Sequence, residues 1–252
     1  MLVNATDVKN NFGYYLSLLK QEDVIILRNG KPVARLSPQT GWQEGLRLGE
    51  EPAEYGVPDD GGGNETPDEH DGKPMAYHQF IKMHEHTDKR YEFIDGKVWL
   101  MSAPSEEHQR IIGNLFIIFH TFLRGKSCRA YLSPLDVHLG CRLSDHNIVQ
   151  PDLLVVYDQS LFNEKGCYVG VPSVTVEVMS PSSRSQDLIR KMSLYLRSGV
   201  QEYWTVDAAN HLISIYRFKE NQIVLQSSFD IDRQVRSDYL QGLVFPAASV
   251  YD

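Results

Sequence analysis

An α/β architecture, a mixed sheet flanked by helices, follows from three stretches of this 252-residue chain. Leu153-Leu154-Val155-Val156 and Val174-Thr175-Val176-Glu177-Val178-Met179 are short, nearly unbroken aliphatic and β-branched runs of the kind that form buried strands. A helical pattern through Asp187, Leu188, Lys191, Met192, Tyr195 and Leu196 follows, with Ser182-Ser183 as its cap and Gly199 as its stop. A further strand-like run, Glu202-Tyr203-Trp204-Thr205-Val206-Asp207, comes next. Upstream, Ile111, Ile112, Leu115, Phe116, Phe119, Phe122 and Leu123 keep three-four spacing behind the capping residue Ser105 and mark a helix with a core face.

Composition bounds the class. The chain is long enough for a buried core, and no apolar run approaches the ~18 residues of a membrane span. The start lacks a basic-then-apolar signal pattern, and Cys128, Cys141 and Cys167 are odd in number and widely spaced, which points to a reducing cytoplasm. The net charge of −8 is local. Residues 42–74 hold ten acids against two bases, which accounts for all of it, so the rest of the chain is neutral and a basic face elsewhere stays open.

In chain order, residues 1–41 form a unit of their own. Leu2-Val3 is extended, Thr6 can cap a helix, and a second helical pattern runs through Phe12, Tyr15, Leu16, Leu18 and Leu19. Two β runs, Asp23 to Leu27 and Pro32 to Leu36, flank an Asn29-Gly30 turn and read as a hairpin. Residues 42–74, acidic and rich in Pro and Gly with little to bury, read as a disordered linker. Charge mimicry of nucleic acid, masking a cleft in cis, is one role for it; a solvated spacer is the other. Residues 75–252 are the second domain. It opens on a helix around His78 to Met83, followed by a tight hairpin about Asp95-Gly96. Tyr131 to Leu139 reads as one strand, and Leu212 to Phe218 with Gln222 to Ser227 as a closing hairpin.

The residues that suggest chemistry sit between 92 and 195. Glu177 shares a strand face with Thr175 and Met179, opposite Val174, Val176 and Val178, and a carboxylate inside such a strand is costly unless paired. Asp152 opens the neighbouring strand beside Pro151, where a turn residue would also be at home. Lys191, three past Leu188 and four before Tyr195, falls at the edge of the helix's buried stripe, and Asp187 four residues earlier could simply pair with it. Two strand carboxylates with an ammonium on the next helix make a site for a hard cation beside a charge that can meet phosphate. There is no internal repeat, phosphate-binding glycine loop or Ser-His-Asp signature.

Several motifs carry a resemblance. Pro151-Asp152, Val176-Glu177-Val178 leading into Ser180-Pro181-Ser182, Asp187 with Lys191 and Tyr195, and the run from Gly199 to Asp207 resemble the Uma-type restriction endonuclease family of the PD-(D/E)XK nuclease superfamily. Tyr91 to Gly96 and Pro104 to Arg110 resemble its front half, so that the likeness spans roughly residues 75–240. It implies a restriction-endonuclease-like fold and hydrolysis of DNA phosphodiester bonds with Mg²⁺ or Mn²⁺. Asp152, Glu177 and the Val178 carbonyl would be the metal ligands, and Glu92 an early acid completing the site. His108 would contact phosphate or water. The superfamily's lysine normally lies two residues past the strand glutamate. Here that position is Met179, and the resemblance implies that Lys191 substitutes.

Residues 1–41 are similar to the Phd/YefM antitoxin family, through the run from Val24 to Leu36 and the Asn4 to Gly13 start. That implies a small α+β dimer in which Lys9, Asn10 and Asn11 approach DNA. Two other readings stand beside a tethered nuclease: a DNA-binding regulator with a non-catalytic platform, and the antitoxin half of a toxin–antitoxin pair with a small toxin partner.

Overall fold

The computed structural model describes residues 68–140, 146–179 and 184–252, and three short strands near the start, with the backbone alone for those strands and for residues 184–189. The chain divides into two compact units, residues 1–63 and 64–252. In the first, β1 (Leu2–Asn4) runs parallel to β2 (Val24–Arg28), and β2 pairs antiparallel with β3 (Lys31–Leu36). The last pair is Arg28 with Lys31, so two residues join the strands, as the Asn-Gly signal requires. The helices expected between β1 and β2, with Lys9, Asn10 and Asn11, lie outside the described residues, as do residues 42–67 of the expected linker.

The second unit is mixed α/β. Two sheets carry it. The larger has six strands in the order β13-β12-β11-β10-β9-β6, and the smaller has four in the order β5-β4-β8-β7. The six-stranded sheet comprises β6 (Arg129–Leu132), β9 (Leu153–Val156), β10 (Val174–Met179), β11 (Glu202–Asp207), β12 (Leu212–Lys219) and β13 (Gln222–Phe229). The four-stranded one comprises β4 (Tyr91–Ile94), β5 (Lys97–Leu100), β7 (Val137–Leu139) and β8 (Asn147–Val149). Within the larger sheet β10 and β11 alone are parallel, and the helix between them, α3 (Arg184–Ser198), makes the crossover that parallel pairing demands. The other helices are α1 (Tyr77–His84), α2 (Glu106–Leu123) and the short α4 (Ala248–Tyr251).

Core packing follows the periods of the chain. Ser105 Oγ accepts the His108 N–H at the start of α2, and the buried stripe is Ile111, Ile112, Leu115, Phe119 and Leu123. That stripe packs with Val174, Val176 and Val178 on one face of the large sheet; Leu194, Tyr195 and Tyr203 lie in a second cluster with Leu154 and Val156. Asp95 and Gly96 both take left-handed φ, 52° and 75°, so the β4–β5 hairpin turns in two residues.

Two segments depart from the sequence reading. Tyr131 to Leu139 is not one strand: β6 and β7 belong to different sheets, because Pro134 has no N–H to give a ladder and the chain changes sheet there. Residues 68–74, counted with the linker, belong to the second unit. Gly72 N donates to Val98 O at 2.8 Å and Val98 N to Lys73 O at 3.0 Å. Two of the acids accept hydrogen bonds from the second unit. Asp68 takes Lys89 Nζ and Tyr91 Oη at 2.7 and 2.8 Å, and Asp71 takes Leu100 N at 2.8 Å.

One buried carboxylate is structural. Glu202, with no exposed surface, accepts Trp204 Nε1 at 2.9 Å, Ser237 Oγ at 2.6 Å, and the N–H groups of Asp238 and Tyr239 at 2.9 and 3.1 Å. It ties the turn between β14 (Gln234–Arg236) and β15 (Val244–Pro246) to the large sheet. Glu202→Ala would orphan four donors, so we expect a loss of about 3 kcal/mol or more in urea unfolding, with Glu202→Gln losing roughly half as much.

Candidate active site

β9 and β10 are antiparallel neighbours, and their last paired residues are Leu153 and Val176. One step further the register brings Asp152 opposite Glu177. Asp152 Oδ2 accepts the N–H of Val178 at 2.8 Å and lies 3.1 Å from His108 Nε2. The helix-period and strand-period segments thus meet: the first turn of α2 supplies His108, and the strand ends supply the acids.

Lys191 enters from α3. Its Nζ is 3.0 Å from Glu92 Oε1 and 3.1 Å from Glu177 Oε2. The expectation of an edge position is corrected here, since Lys191 is only 6% exposed. The stripe of α3 is wide enough to carry an ammonium inward because carboxylates from both sheets receive it. Glu92 is on β4, pointing away from Tyr91 and Phe93, whose rings join the hydrophobic cluster on the other side of the strand. Tyr195, one turn beyond Lys191, donates its hydroxyl to Glu177 Oε1 at 2.6 Å. Glu92 Oε1 also accepts the main-chain N–H of Gln150 at 2.9 Å. The side chain of Asp187 lies outside the described residues.

The electrostatics are those of crowded acids around one base. Burial pushes the Glu177 carboxyl up to about 8 against the pull of Lys191, with Asp152 and Glu92 adding to the rise. Desolvation works against the Lys191 ammonium, but Glu177, Glu92 and Asp152 outweigh it and hold its pKa well above the ordinary lysine value. Burial, then Glu177, drive the Tyr195 hydroxyl well up, so it remains a neutral donor.

Three carboxylates therefore face one ammonium. An excess of negative charge in a site this closed fits a cation. Among the described residues no three His, Cys, Asp or Glu side chains form a ready cage for a metal. A set of two carboxylates, a main-chain carbonyl and waters is what an oxygen-seeking ion such as Mg²⁺ takes instead. Asp152, Glu177 and Val178 fit that description, while Glu92 is engaged by Lys191 and Gln150.

The structure brings Glu92, His108, Asp152, Glu177, Val178 and Lys191 into one neighbourhood. Sequence reasoning missed Gln150 as a participant. Asp136 accepts Gln150 Nε2 at 2.8 Å and lies 3.0 Å from His84 Nε2.

Comparison with known proteins gives the family and the fold. Residues 76–248 match the Uma2 family model, described as "Putative restriction endonuclease". Two proteins of Synechocystis sp. are similar: slr1290, 26% identical over 143 residues (56% of this chain and 73% of that protein), and sll1609, 21% identical over 147 residues (58% and 81%). The crystal structure of a protein from Anabaena variabilis, titled as a "putative nuclease belonging to DUF820", superposes with a TM-score of 0.58 at 22% identity. It covers 71% of this chain and 98% of the Anabaena chain, and shares the fold. Because the family match spans 173 of the 252 residues, from just before α1 to the start of α4, this chain belongs to the Uma2 family.

Proposed function

We propose that the second unit is a metal-dependent endonuclease that hydrolyses DNA phosphodiester bonds. One observation carries the reading: although Met179 occupies the strand position where a lysine is expected, an ammonium reaches the strand carboxylates from α3, at 3.1 Å from Glu177 and 3.0 Å from Glu92.

Asp152, Glu177 and the Val178 carbonyl would hold Mg²⁺ or Mn²⁺. When bound, the ion supplies Lewis-acid polarisation of the phosphate and a more acidic water. The remaining chemistry belongs to the chain. Lys191 offers a fixed positive charge where negative charge develops on phosphate, or holds the attacking water by donating to it. Glu92 keeps that ammonium from swinging away, and Tyr195 fixes the rotamer of Glu177 through the 2.6 Å hydrogen bond. His108 and the Val178 N–H share Asp152 Oδ2, which leaves Oδ1 for other work. The walls are apolar strands and buried aromatic rings, so each of these interactions acts in a medium of low dielectric.

The proposal extends to residues 1–41 as a tethered antitoxin-like module for DNA contact and dimerisation. Its basis is the likeness of the runs from Asn4 to Gly13 and from Val24 to Leu36 to that family.

Nicking of supercoiled plasmid tests the reading. The wild type is expected to nick with Mg²⁺ or Mn²⁺ and to stop in chelator, and Glu177→Ala and Lys191→Ala should each lose roughly a hundredfold or more, with thermal melts to verify folding. Undiminished nicking in Lys191→Ala would reject the lysine and spare the acids; a wild type inert with both metals would reject the enzyme. The raised Glu177 pKa predicts a pH dependence as well. Proton and cation compete for that carboxylate, so Mn²⁺ affinity by calorimetry should tighten roughly tenfold or more from pH 6.5 to 8.5 and then level off.

A further inference from the structure

Gln150 stands between β8 and the Pro151-Asp152 step, 5% exposed, and its main-chain N–H and both polar atoms of its side chain are engaged. Its main-chain N–H donates to Glu92 Oε1 at 2.9 Å, the same oxygen that Lys191 Nζ approaches at 3.0 Å. Its side-chain Oε1 accepts Arg90 Nε at 2.8 Å, and its Nε2 donates to Asp136 Oδ1 at 2.8 Å. Both partners are themselves held. Arg90 also donates to Ser133 Oγ, and Asp136 Oδ2 lies 3.0 Å from His84 Nε2 on α1. Ser133 N in turn donates to the main-chain oxygen of Asp152 at 3.1 Å, so the tripeptide 150–152 is pinned at both ends.

These bonds have a direction of control. The carboxylate of Glu92 could rotate about its last torsion, which is broad and soft. Two donors on one oxygen stop it, and only one of them, the Gln150 peptide, belongs to the fixed scaffold. That peptide is oriented by the amide of its own side chain, clamped between a guanidinium and a carboxylate in fixed donor–acceptor polarity. We propose that Gln150 is a positioning residue of the site: by orienting its own peptide it fixes the oxygen of Glu92 that receives Lys191, and so sets where the ammonium sits between the two sheets. It touches neither substrate nor metal in this scheme.

The kinetic part rests on the nuclease reading; the positional part does not, and the test separates them. Protein labelled with ¹⁵N-lysine gives ammonium signals, and a buried, doubly bonded Nζ exchanges slowly enough to be seen. The Lys191 signal is assigned by its loss in Lys191→Arg. Gln150→Met, of equal length and without hydrogen bonds, is expected to shift or broaden that signal. It should also lower kcat for plasmid nicking roughly 10- to 100-fold, with KM for DNA within about twofold. Arg90→Met removes one clamp at a half-buried position and should move the same signal less, which keeps the test valid should Gln150→Met fail to fold. A Lys191 signal unmoved in a folded variant overturns the proposal, and so does a rise in KM with kcat retained. Absence of nicking by the wild type would overturn the nuclease reading, leaving the ammonium shift to decide the role of Gln150.

Discussion

A single ammonium, Lys191, lies between two carboxylates that belong to different sheets, and the second unit is built so that this is tolerable. Removing such a charge from water costs several kcal/mol, and its partners cost as much again. The return comes only if distances stay near 3 Å and each carboxylate meets more than one donor. The site meets that condition: Tyr195 and Lys191 serve the two oxygens of Glu177, and Lys191 with the Gln150 peptide serves Glu92. Side chains of the two sheets share a hydrophobic cluster, and Lys191 adds a polar seam between β4 and β10.

That seam explains the contrast between the two buried acids of neighbouring strands. Glu202 is fully satisfied by neutral donors, two side chains and two main-chain N–H groups, and all four hold a turn in place. Nothing is left over for a ligand. Glu177 is met by a cation and a hydroxyl, with further acids close by, and burial drives its proton affinity up. Similar burial thus yields a strut in one case and a charged cluster in the other, and the difference lies in the charge of what faces each carboxylate.

Much of this was legible in the chain. Period-two runs gave the strands of the large sheet, and alternation put Glu177 on the face it occupies. Ser105 and Gly199 marked helix ends that the backbone respects. Family likeness, rather than periodicity, picked Lys191; helical spacing alone left it at the margin of the stripe, because an amphipathic pattern cannot say that carboxylates will come to meet a lysine. Gln150 left no trace, since its contact with Glu92 runs through a main-chain N–H that every residue but proline possesses. The split of Tyr131 to Leu139 between sheets was signalled by Pro134, but the β-branched and aliphatic residues around it masked the break. Residues 68–74 look like linker in composition, and only pairing with β5 and hydrogen bonds to individual acids reveal them as part of the fold.

The origin of Lys191 in the crossover helix has a further consequence. During synthesis Glu92, Asp152 and Glu177 emerge first, and the amine follows on α3, the crossover between β10 and β11. A nascent or truncated chain ending before α3 therefore presents crowded acids without their base. Under the proposed chemistry, hydrolytic competence waits for the crossover helix, an interlock that ties the power to cut DNA to synthesis of the chain beyond β10.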